Sequence, residues 1–183
     1  GESAVSTYGI LMYVEGLIQP LLYGMCDSLQ PAVGFNWGAG NTRRVRAIEK
    51  CCFTASALVS VAASIVIFLI PEQITLLFLG GGNQALVEAT AFALRLFSLT
   101  YITRWFSFAT QSYMLAIEKP WPASIISLST ALVFPVLCIL IFWPLGLTGL
   151  WLNFAGTALL AALLAGAVMT RFQREMKRLE AAR

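Results

Sequence analysis

The sequence is dominated by long apolar runs, and these constrain its fold more than anything else. Residues 5–33, 47–70, 85–115, 121–143 and 147–170 are each mostly apolar. A helix needs about 20 such residues to cross a bilayer. Each run is long enough. The period-2 alternation of a membrane β-barrel is absent, which leaves helices as the only spanning structure. The expected fold class is therefore all-α integral membrane, with five transmembrane helices. Composition closes off the alternatives. Of 183 residues, 58% are hydrophobic and 11% charged, and the mean hydropathy is +0.78. Soluble domains carry about 25% charged residues, and disordered chains are poor in large apolar ones. There is no His, which excludes imidazole catalysis and His-ligated metals. Ser and Lys show no nucleophile–base spacing, so an enzyme is not expected. A net charge of +3, carried in short flanks, argues against nucleic acid as a partner. The opening Gly1-Glu2-Ser3-Ala4 reads like mid-loop sequence, without the basic start of a signal peptide. It predicts the tail of a longer protein.

Proline and glycine mark the connections: Gly38 to Asn41, Pro71, Gly80 to Asn83, Pro120 with Pro122, and Pro144 with Gly146. The basic residues then set an orientation. Arg43, Arg44, Arg46 and Lys50 follow the first span, Lys119 follows the third, and Arg171, Arg174, Lys177, Arg178 and Arg183 form the tail. Residues 1–4, 71–84 and 144–146 hold none. Positive charge stays inside. The expected arrangement is a multi-pass protein of the cell membrane, with the N-terminus outside and the C-terminus cytoplasmic. The tail, 171–183, reads as a short basic helix on the inner leaflet or as a plain anchor.

Three charges fall inside spans: Glu15 in the first, and Arg95 and Arg104 in the third. An unpaired ion at mid-depth costs about 3 kcal/mol, so these groups should face protein or water and pair. At 100° per residue, Tyr8, Met12, Glu15, Gln19, Tyr23, Cys26 and Gln30 fall within an arc of about 80°. Thr100, Arg104, Ser107 and Gln111 fall within about 60° on the third span. Two polar stripes predict a shared cavity. The partner of Glu15 stays open: depth favours Arg95, and the stripe favours Arg104. Pro20 should kink the first span, freeing the Gly16 carbonyl, and Pro135 should free that of Ala131 in the fourth. Asp27 lies off the stripe, with Arg43, Arg44 or Arg46 as its expected neutralising partner. Ser60 with Ser64, and Ala162 with Gly166, should permit close helix packing. Cys26, Cys51, Cys52 and Cys138 show no metal or disulfide spacing.

Three segments carry a family resemblance. The first runs from Gly24 to Gly40, with Gln30-Pro31, Asn36 and Gly38-Ala39, followed by Arg43-Arg44-Val45. The second is Ala116-Ile117-Glu118-Lys119-Pro120, continuing into Ile126-Ser127-Leu128. The third is Pro144-Leu145-Gly146-Leu147-Thr148-Gly149-Leu150-Trp151. In this order they resemble the multidrug and toxic compound extrusion (MATE) family. The resemblance implies helices eight to twelve of a twelve-helix, two-lobe antiporter, with 1–170 as C-terminal lobe and 171–183 as cytoplasmic tail. It implies export of amphipathic compounds in exchange for H⁺ or Na⁺ by alternating access, without a cofactor. The implied partners are the bilayer, an N-terminal lobe of the same chain and a small-molecule substrate. Tyr8, Glu15, Gln19, Tyr23, Arg95, Arg104 and Gln111 become candidate cavity residues. Gln30, Pro31, Asn36 and Gly38 become a structural loop motif, with Gln30 and Asn36 expected to bond loop backbone. Where several family members carry carboxylates on the tenth helix, this chain has Arg95 and Arg104, and Glu15 is its deep acid. Two other readings fit the charges: a lipid-linked saccharide flippase of the same superfamily, and a non-transporting membrane assembly subunit.

Overall fold

The computed structural model of the chain describes residues 1–80 and 83–181, with the helix path alone for 177–181. Gly81 and Gly82 of the glycine-rich turn, Arg183, and the side chains of Lys177 and Arg178 lie outside the described residues. All elements among the described residues are helical: α1 (Glu2–Asp27), α2 (Leu29–Gly38), α3 (Thr42–Leu69), α4 (Pro71–Leu79), α5 (Gln84–Ser98), α6 (Thr100–Ala116), α7 (Pro120–Leu128), a π-helical turn (Ser129–Val133), α8 (Phe134–Phe142), a 3₁₀ turn (Trp143–Leu145) and α9 (Gly146–Ala181).

Among the described residues, four stretches are long and apolar enough to cross a membrane: Glu2–Gly38, Thr42–Leu69, Gln84–Ala116 and Pro120–Met176. The last holds 57 residues but is not one rod. Gly146 takes φ +57°, a conformation open to glycine, and α9 folds back along α8 and α7. A Cβ on Gly149 would collide with the Phe142 carbonyl, and one on Gly156 would meet Cys138 Sγ at 3.0 Å. At the far end Lys119 Nζ lies 3.2 Å from Glu175 Oε2. The expected fourth and fifth spans are thus the two arms of a hairpin. The hairpin's second arm runs past residue 170 without a break, so the tail continues α9 instead of forming a separate helix.

The expected rods are interrupted for local reasons. α1 stays helical through Pro20, whose missing N–H still leaves the Gly16 carbonyl without its usual donor; the break in the first rod falls at Ser28. Pro31, four residues after Asp27, has no N–H for the Asp27 carbonyl. The third rod bends at Leu99, with neither Pro nor Gly. There Leu99 N–H bonds Leu96 and Ile102 N–H bonds Leu99, each one residue short of the α pattern. This frees the Arg95 and Ser98 carbonyls. Ser98 Oγ donates to Arg95 O at 2.6 Å, and Ser64 Oγ on α3 donates to Ser98 O at 2.8 Å. Ser60 Oγ reaches Tyr101 O at 2.5 Å. The Ser60–Ser64 stripe therefore does more than allow close packing: its hydroxyls satisfy the bend. In the fourth rod Phe134 N–H bonds Ser129 O five residues back. The helix accommodates Pro135 by widening into a π turn just before it. α4 is an addition, occupying what reads in the sequence as an outer loop.

α6 lies at the centre, packed on α1, α2, α3, α5, α7 and α9. One apolar cluster joins Leu11, Leu22, Phe97, Tyr101 and Trp151. A second, toward the other end, joins Val33, Tyr113, Met114 and Phe172. Leu17, Leu58, Leu140 and Leu163 point outward and exposed, as lipid-facing positions do. If Gly149 sets the hairpin spacing, Gly149→Ala should lower the melting temperature in detergent by several degrees. Gly38→Ala, whose Cβ would meet nothing within 4 Å, should leave it unchanged.

Candidate functional site

Glu15 sits on the inward face of α1 and is 8% exposed. Its two oxygens are taken by two residues of α6. Oε1 lies 2.5 Å from Arg104 Nη1, and Oε2 accepts from the Tyr101 hydroxyl. Tyr101 and Arg104 are three residues apart, so they leave one face of α6 together. An acid in apolar surroundings needs such partners, because a buried unpaired charge is costly.

The structure decides the open pairing in favour of Arg104. Arg95 does not line this site. Its Nη2 lies 3.6 Å from Glu72 Oε1 on α4, with both side chains about half exposed. Depth counted along a straight third span failed for two reasons. The bend at Leu99 puts Arg95 and Arg104 on different helices, and α4 supplies an acid near Arg95.

The other candidates fall at graded distances from the pair. Tyr23 stacks on Phe108 at 4.1 Å between ring centroids, with a side-chain hydrogen bond to Gln19. Arg104 Cζ lies 5.4 Å from the same Phe108 ring. Gln19 and Tyr23 thus belong with the Glu15–Arg104 group. Tyr8 is half exposed, its ring tilted against Phe154 at 6.5 Å. Gln111 is partly buried, about 10 Å further along α6 than Arg104, and is not brought to Glu15.

The loop motif behaves differently from expectation. Gln30 Nε2 donates to Asp27 Oδ1 at 3.0 Å, not to loop backbone. Asn36 Nδ2 donates back to Ala32 O within α2 at 2.8 Å, while the Asn36 carbonyl accepts from Asn41 N–H at 2.8 Å. The left-handed residue is Gly40, at φ +70°, not Gly38, which stays helical. Pro31 acts through its missing donor at the Ser28 break. Asp27 receives Ser112 Oγ from α6 at 2.6 Å together with Gln30, rather than one of the expected arginines.

Sequence reasoning missed Tyr101, Phe108 and Ser112. Tyr101 carried a usable signal, since it lies one turn before Arg104. A cavity of about 210 Å³ with several polar side chains in its wall also opens beside Arg104, between α6, the π turn and α9. Its wall includes Thr100, Ser107, Thr130, Asn153 and Thr157.

Because Glu15 is buried and the Arg104 side chain is only 19% exposed, removing one partner should be expensive. Glu15→Ala or Arg104→Ala is expected to cost about 3 kcal/mol or more, with a clear coupling in the double-mutant cycle. The exposed Arg95–Glu72 pair should couple by less than about 1 kcal/mol. Unfolding in detergent measures both cycles.

Comparison with known proteins agrees with this architecture. Over 141 residues, 76% of its length, the chain is 26% identical to a multidrug export protein, MepA, of Staphylococcus aureus (strain N315). The NCTC 8325 strain's protein of the same name shows the same identity over the same length. The chain spans 31% of the length of these relatives. Among solved structures, the outward-facing form of a multidrug resistance MATE family transporter of the MOP superfamily superposes with a TM-score of 0.87 at 19% identity. It covers 97% of this chain and 40% of its own. The inward-facing form described under the same name gives 0.78 at 19% identity, covering 94% and 39%. These likenesses show a shared fold: an all-helical, multi-pass membrane protein. A sequence model of the MatE family matches residues 1–140, and the chain belongs to that family of transporters.

Proposed function

We propose that this chain forms the C-terminal lobe of a secondary antiporter. It would export amphipathic organic compounds in exchange for H⁺ or Na⁺, working with an N-terminal lobe of the same chain in the bilayer. The observation that carries the reading is the buried Glu15, held by Arg104 and Tyr101 at the centre of a MatE-family bundle. The similarity to a protein named as a multidrug exporter supports the substrate class.

The chemistry follows from competition for one carboxylate. In low dielectric, Glu15 needs a positive partner. Arg104 is the resident one. A proton, a sodium ion or a cationic cargo would compete with the guanidinium for the same oxygens. Each exchange alters the contact between α1 and α6. The bend at Leu99 lies one residue from α6, so motion of α6 relative to α5 has a ready hinge. Such a bend would supply the two-state element that alternating access requires. The five helical rods would cross five times. The basic residues at the α2–α3 turn, at Lys119 and in the tail support an N-terminus outside and a C-terminus in the cytoplasm.

Glu15→Gln in the full chain should reduce coupled efflux at least about tenfold, the effect of losing roughly 1.4 kcal/mol of ion-linked driving interaction. Membrane insertion should remain. Efflux measured in cells beside a surface-labelling control decides this. Unchanged efflux would contradict the role given to Glu15, and lost insertion would favour an assembly role.

A further inference from the structure

The cavity beside Arg104 has a wall whose hydrogen-bonding capacity is unevenly spent. It is lined by Arg104 but not by Glu15, and among the described residues no carboxylate lines it. Three of its hydroxyls have already donated their protons. Ser107 Oγ donates to Arg104 O at 2.9 Å. Thr130 Oγ1 donates to Ile126 O at 2.7 Å. Thr157 Oγ1 donates to Asn153 Oδ1 at 3.1 Å. This last bond fixes the Asn153 amide: its oxygen is occupied, and its NH₂ group is left to the cavity. Thr100 is 1% exposed, and its buried Oγ1 has no partner. Orphaned buried hydroxyls are uncommon and call for an explanation. The guanidinium of Arg104 has five N–H donors, and Glu15 does not use them all. The uncommitted donors thus come from Arg104, Thr100 and Asn153 on α6 and α9, the spent hydroxyls keep only acceptor lone pairs, and the one charge in the wall is positive, which decides for an anion.

We propose that this cavity binds the anionic end of a small organic ligand, a carboxylate or sulfonate, through Arg104, Asn153 Nδ2 and Thr100 Oγ1. Phe154 and Pro135 supply the apolar side for the group that carries the anion. The space, about 210 Å³, is below the roughly 300–1,000 Å³ of a pocket for a whole drug. It suits an end group. Arg104 is shared, so Glu15 and the bound anion compete for one guanidinium, and loss of the Glu15 charge strengthens the anion site. The inference goes beyond the proposed antiport, and its test reads binding alone.

Equilibrium dialysis of labelled benzoate against the purified full chain in detergent tests it. One saturable site is expected. Asn153→Asp keeps the acceptor for Thr157 and replaces the donor by a like charge, and should weaken benzoate about tenfold or more. Thr100→Val should weaken it by about threefold. Glu15→Gln should tighten it. The proposal is overturned if monodisperse wild-type protein binds no benzoate saturably, or if Asn153→Asp binds it as well as wild type. It is also overturned if benzyltrimethylammonium occupies the site in preference. Benzoate binding that persists while Glu15→Gln leaves efflux unchanged would sink the coupling role proposed for Glu15 and keep this inference.

Discussion

The bundle is organised around one electrostatic constraint. Glu15 is buried in a segment surrounded by apolar residues, and a carboxylate there must be neutralised from a neighbouring helix. α6 supplies the guanidinium of Arg104 and the hydroxyl of Tyr101 from a single face. That requirement fixes the rotation of α6 about its axis and its depth against α1. The same rotation turns Phe108 into the core, where it carries Tyr23, and sets Tyr101 edge-on to Phe97 of α5 at 5.6 Å. Apolar packing between helices in lipid gains little from the hydrophobic effect. Polar contacts such as these therefore do more to select one arrangement than they would in a soluble core.

The backbone irregularity nearest that pair is internally satisfied. The Leu99 bend frees two carbonyls. Ser98 and Ser64 cap them, and Ser60 bonds the carbonyl of Tyr101 itself. The π turn before Pro135 borders the cavity that Arg104 lines. A freed carbonyl in a bilayer costs several kcal/mol if left unpaired, so hydroxyl side chains from adjacent helices are the physical condition for bending at these points. α3 thus acts as a brace: its serines hold the backbone on which Tyr101 and Arg104 are mounted.

Much of this was legible in the sequence, for identifiable reasons. Apolar runs of twenty residues are unambiguous, and the rods follow them closely. The 100° stripe found Arg104, Gln19 and Tyr23 because helical phase survives over a few turns. Arg95 was misplaced because depth needs straight helices and a complete set of neighbours. The Leu99 bend is made by backbone hydrogen bonds that no Pro or Gly announces, and α4 was hidden inside a stretch punctuated by Pro71 and Gly80. Pro20 sits inside a continuous helical segment, whereas Pro31 lies just after a break, so a proline in the sequence does not by itself locate an interruption. The loop motif showed the right residues and the wrong bonds. Short-range partners, Asp27 for Gln30 and Ala32 for Asn36, compete with the loop backbone and win.

The central claim is that the opposite charges of Glu15 and Arg104 hold α1 on α6. A charge swap tests it most directly. Glu15→Arg and Arg104→Glu would each place like charges against one another, and the double variant would restore an opposite pair. The account predicts that each single variant aggregates or loses thermal stability in detergent, and that the double variant recovers a monodisperse, cooperatively melting protein. Single variants as stable as wild type, or a double variant no better than either, would contradict it.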